Sequence, residues 1–271
     1  MSDKPFSGRC IFGFSWTLEN ETDLFRKFLC AMYNRPYRDE NIDELSNLTQ
    51  LADFYCVLPI VSATLTAALL GSPMFKFKVA KADENGHVPF NAVAPSLIFE
   101  ARKLRYSVLF RECLIHCVAR WAEILNDSVD TSKVPASSRG QEITSDPILT
   151  SLVNDKYIKL CRSVMSVSQS IMLYTATTET GWVPPEFIPL KFPEQNAEYY
   201  VLVQKDLSES MASPSDDDAD DLKARVDALL ENNLVLDQSG LKPGRGIYRY
   251  ELLSSNIADE DMPWDATETD W

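Results

Sequence analysis

Histidine is almost missing from this chain: there are two, His87 and His116, in 271 residues. Glycine is scarce, at nine. There is no G-x-S-x-G elbow, no G-x-x-x-x-G-K-[ST] loop and no paired Cys/His set at zinc spacing. Those gaps remove the usual signatures of a serine hydrolase, a P-loop nucleotide enzyme and a structural zinc module. The start, "MSDKPFSGRC", lacks the apolar core of a secretory signal. Six cysteines are scattered through the length, too sparse for a disulfide scaffold. A reducing compartment, cytoplasmic or nuclear, is the expectation.

Positive charge is also short. Lys and Arg number 26 against 40 Asp and Glu, a net of −14. From Asp206 to Trp271 there are 17 acidic and 5 basic residues, a net of −12, so the rest of the chain is nearly neutral. An acidic surface of this kind repels phosphate backbones and anionic lipid. Neither nucleic acid nor membrane is therefore expected as a partner.

One long uncharged run is present. Phe54 to Phe75 holds 22 residues without a charge. Its length suits a membrane span, but Pro59, Ser62, Thr64 and Thr66 interrupt it and Gly71-Ser72-Pro73 ends it early. It divides instead into two amphipathic helices. Asn41 with Glu44 makes a capping-box start, and Leu45, Leu48, Ala52 and Tyr55 follow at helical spacing. Pro59 suits the first turn of the next helix, whose stripe is Leu58, Val61, Leu65 and Leu69. That second helix carries no basic residue for a DNA groove.

The segment from Leu24 to Leu70 resembles the later half of a BTB/POZ domain in its fungal form. The residues that carry the likeness are Phe25, Phe28, Leu29, Met32, Tyr33, Pro36 and Tyr37, then Leu48, Leu51, Ala52, Asp53, Tyr55 and Pro59. "LFRECLIHCVARW" (109–121), "NNLVLD" (232–237) and "DEDMPWD" (259–265) are similar to the helical and C-terminal extensions of the same group. The resemblance implies an adaptor or scaffold built of packed helices. It begins part-way through the domain pattern, since some 20 residues precede Leu24 and supply at most a strand or two. Homodimerisation through the family's front-half surface, and cullin-type ligase binding, are not carried over.

Further along, Leu97, Ala101, Leu104 and Val108 make one helical stripe, and Phe110, Cys113, Cys117 and Trp121 the next. Asp146-Pro147 forms a cap and first turn, and Leu149, Leu152, Leu160, Val164, Val167, Ile171 and Tyr174 predict a helix of roughly 45 Å. "TGWVPPEFIPLKFPEQN" favours an extended segment ordered by Trp182, Phe187 and Phe192. "SESMASPSDDDADD" reads as an acidic linker whose charge also suits the start of a helix carrying Leu222, Val226, Leu229 and Leu230. "LVLD" and "GIYRYELL" alternate like the strands of a hairpin around "QSGLKPGR".

The predicted architecture is thus a mainly α-helical α+β protein. It comprises a partial BTB/POZ-like region (1–75), a helical extension (90–205), an acidic linker (206–221) and a small helix-plus-hairpin unit with an acidic tail (222–271). No catalytic, cofactor or metal residues are assigned. His116, Cys113 and Cys117 share a helix but read best as core, and His87 as an exposed turn. The candidate contacts with a protein partner are Trp264, Asp265 and Trp271 in the tail. That tail can pack on its own body or dock in a partner's groove. The expected function is protein–protein interaction without catalysis. The alternatives are an enzyme with an unrecognised helical active site, and a transcription-linked protein binding through its C-terminal unit.

Overall fold

The structure is a computed structural model. It describes residues 18–39, 41–70, 72–75, 90–129, 143–177, 184, 196–210, 217–231, 233–236, 253, 255–265 and 268. Among the described residues the main α-helices are α1 (Leu18–Met32), α2 (Ile42–Phe54), α3 (Leu58–Leu69), α4 (Phe90–Lys103), α5 (Ser107–Ala119), α6 (Trp121–Val129), α7 (Pro147–Thr177), α8 (Asn196–Ser210) and α9 (Asp217–Leu229). Short 3-10 turns form at Pro73–Phe75 and Asp259–Asp261. None of the described helices is long and apolar enough to cross a membrane.

Local chemistry explains the first helices. The Asn41 side chain accepts the Glu44 N–H at 2.9 Å, capping α2. Pro59 occupies the first turn of α3, where its missing N–H would be unpaired anyway. Helix ends are closed without glycine. Asn34, Cys56 and Arg105 take left-handed φ angles of 50°, 56° and 46°. Each is followed by a residue whose N–H reaches five positions back: Arg35 to Cys30, Val57 to Ala52 and Tyr106 to Ala101, at 2.7–3.0 Å. This Schellman closure recurs after α1, α2 and α4, and lets consecutive helices fold back tightly.

One continuous apolar core joins these helices. α5 is its centre. Leu109, Phe110 and every residue from Glu112 to Ala119 are buried. A single amphipathic stripe was expected there. The helix is instead enclosed by α4, α6, α7 and the C-terminal segment, so even Glu112 and His116 lie inside. α7 spans 31 residues. Its buried line runs Leu149, Val153, Lys156, Leu160, Val164, Val167, Ile171 and Tyr174. The stem of Lys156 fills a place that the apolar pattern left empty. α9 packs on α7 and α8, burying Ala219, Leu222, Val226 and Leu229.

The mainly helical expectation holds, but no strand is present among the described residues. Most of the expected hairpin lies outside them. Leu234, Val235 and Leu236, placed in its first strand, are not paired to another strand. The N–H groups of Val235 and Leu236 are directed at the Glu112 carboxylate, at 2.9 and 3.4 Å. A buried acceptor on α5 thus takes the donors that a ladder would need. Helix also enters the expected linker from both sides, α8 ending at Ser210 and α9 starting at Asp217. The segment around Trp182, Phe187 and Phe192 and the turn at His87 lie outside the described residues.

Candidate interaction surface

Two places in the fold present side chains suited to recognition: the seat of the C-terminal segment and a ridge on α1 and α2. The first is occupied by the chain itself. Leu253, Ile257 and Met262 are buried against the helical body. The Trp264 ring meets Phe110 of α5 edge to face, with centroids 5.0 Å apart and planes at 79°. Basic side chains on the body match the acidic segment: Arg111 pairs with Asp259, Lys156 with Asp261, and Arg105 with Glu268 at 2.6 Å. The Asp261 carboxylate also accepts the Ala258 N–H at 2.7 Å, which folds the segment into its 3-10 turn. Of the three residues singled out by sequence, Trp264 is therefore half-buried in cis. Asp265 is exposed, and its carbonyl accepts the Glu268 N–H at 3.3 Å. Trp271 lies outside the described residues.

The ridge is open. Phe25 and Leu29 on α1, and Tyr33 just past its end, stand at successive intervals of four and are all exposed. Phe28, on the inner flank, is buried and links them to α2. Its ring lies 6.0 Å from Phe25 and 5.3 Å from Tyr55. Tyr55 in turn meets Phe54 edge to face at 5.1 Å. Tyr33 is 74% exposed and Phe54 59%, values that core residues do not have. A structure of packed helices, as the resemblance implies, would bury Phe25, Leu29, Tyr33 and Tyr55, yet all four are exposed. Helical spacing groups them on one face, but does not say whether that face is covered.

Beneath the ridge, Lys27 is buried among carboxylates. Its Nζ lies 2.7 Å from Glu44, 3.5 Å from Asp23 and 4.0 Å from Asp39. Asp39 is wholly buried, and neither carboxyl oxygen has a hydrogen-bond partner among the described residues. Burial raises its carboxyl to about 7, because Lys27 lies closer to Glu44 and offsets only part of the desolvation. Its backbone carbonyl accepts the Ser72 hydroxyl at 2.6 Å, tying the turn after α1 to the end of α3.

The reactive groups of α5 are deep. Burial pushes the Cys113 thiol well up and the Cys117 thiol to about 12, and depresses His116 to about 3. At neutral pH these are protonated thiols and an uncharged imidazole. Among the described residues no group of three or more His, Cys, Asp or Glu is placed to hold a metal ion.

No protein-family model, curated protein or solved structure matches the chain. Its function is therefore argued from the surface described above. The acidic segment is already seated and its anchors are satisfied. The ridge has five large exposed apolar side chains, three of them joined through the ring of Phe28.

Proposed function

We propose that this chain is a non-catalytic protein–protein interaction module, an adaptor or scaffold, with residues 1–75 as a BTB/POZ-like region. The observation that carries the reading is the exposed ridge of Phe25, Leu29, Tyr33, Phe54 and Tyr55. Aromatic side chains dominate the energetics of protein interfaces, because each buries much area at small entropic cost. Anchors at i, i+4 and i+8 on one helix face suit a partner that presents an apolar groove. The contact is placed on the ridge rather than on Trp264, whose ring is already packed on Phe110.

The test is site-specific photocrosslinking. A photoreactive residue at Tyr33 is exposed to native cell extract, with and without Leu29→Asp. One stoichiometric crosslinked protein, lost on Leu29→Asp in a variant whose far-UV spectrum is unchanged, is the expected result. No crosslinked protein, or the same product in both chains, refutes the reading.

A further inference from the structure

A cavity of about 600 Å³ lies between α7, α9 and residues 255–256. That volume falls in the range of small-molecule clefts. Lys156, Lys159 and Arg162 line it from α7 at steps of three, and Arg225 lines it from α9. Four cations around one cavity stand out in a chain of net charge −14. Leu160, Val167 and Leu229 supply apolar walls.

The cations differ in availability. Lys156 is held by Asp261 and by the Asn256 carbonyl, so it fixes a wall rather than receiving a ligand. Lys159 pairs with Asp155 at 2.7 Å and Arg225 with Asp221 at 2.8 Å. Both are exposed pairs one helical turn apart, which contribute little and open readily. Arg162 makes no hydrogen bond or close ion pair among the described residues, and its charge is felt by Asp155 on the same helix. Glu231 also lines the cavity and restricts where an anion can sit. A second observation is independent of charge. Ser255 lines the cavity, is 8% exposed, and its hydroxyl has no hydrogen-bond partner among the described residues. A buried hydroxyl without a partner marks a place where a polar group is missing.

We propose that this cavity binds a phosphate-bearing small molecule. The phosphate sits on Arg162 with Lys159 and Arg225 turned inward, and the Ser255 hydroxyl donates to it. The apolar part of the ligand lies against Leu160, Val167 and Leu229. Guanidinium groups form paired, charge-assisted hydrogen bonds with phosphate oxygens, which makes Arg162 the anchor. The proposal is independent of the ridge on α1 and α2.

Isothermal titration calorimetry of the full chain tests it, with ADP and pyrophosphate as probes and adenosine as the uncharged control. Saturable binding of both probes, weakening with added salt, is expected. Arg162→Glu should cut affinity by about tenfold or more. Ser255→Ala should cut it several-fold with an unchanged far-UV spectrum, since that hydroxyl leaves no partner behind. Three outcomes overturn the proposal: no saturable heat from either probe at millimolar concentration, undiminished binding by Arg162→Glu, or adenosine binding as tightly as ADP.

Discussion

Replacing Asp39 with asparagine should make stability less dependent on pH. The buried carboxyl has an ordinary value of 3.8 when the chain is unfolded and about 7 when folded. The folded state therefore holds its proton more tightly. Between roughly pH 4 and 7 the unfolded chain has released that proton while the folded chain keeps it, so stability falls as pH rises. Above about 7 both states are ionised and the loss is complete. At 1.36 kcal/mol per pH unit the span corresponds to roughly 4 kcal/mol. Glu100, whose carboxyl is also raised by burial and partly offset by Ser46, acts in the same direction. The difference between wild type and Asp39→Asn isolates the contribution of Asp39. Urea unfolding followed by tryptophan fluorescence at pH 5 and pH 8 supplies it. The variant should gain roughly 2–3 kcal/mol on wild type between the two pH values, because about two pH units of the span lie above pH 5. A difference that stays constant to within about 0.5 kcal/mol would show that Asp39 does not titrate there, and the reasoning from burial would fail.

Three further outcomes are expected. Trp264→Ala removes a half-buried indole and its edge-to-face contact, and should lower stability by roughly 2 kcal/mol in calorimetry, with truncation after Ala258 lowering it further. Cys56→Gly should raise stability by up to about 1 kcal/mol in chemical unfolding, because the φ of 56° strains any residue with a Cβ. Glu112→Ala strips the acceptor from the Val235 and Leu236 amides and should cost roughly 2–4 kcal/mol. Hydrogen exchange at those two amides should quicken selectively.

Legibility in the sequence follows the range of the interaction. The Asn41 cap, the turn at Pro59 and the stripes of α2, α3, α7 and α9 depend on residues within a few positions of each other, and period alone locates them. The enclosure of α5 depends on helices from both sides in sequence, so its apolar stripe looked one-sided. The Val235–Leu236 segment alternates like a strand, but its fate is set by Glu112, more than 120 residues earlier. Tail docking was one of two open readings, because the acidic run is visible but its cationic partners, Arg105, Arg111 and Lys156, are scattered among ordinary surface charges. The ridge was visible as residues but not as a surface. The Ser255 cavity left no sequence signal, since a serine and spaced cations are common on any helical protein.

The clasp of Phe110 by Trp264 has a bearing on how the chain is made. The two residues are separated by 154 positions, and translation adds about 5–20 residues each second. For something on the order of ten seconds α5 exists while its last covering side chains do not. During that interval the nascent chain offers an aromatic face and a buried-type glutamate to whatever is nearby. A core completed from its far end is therefore one whose middle is made long before its cover.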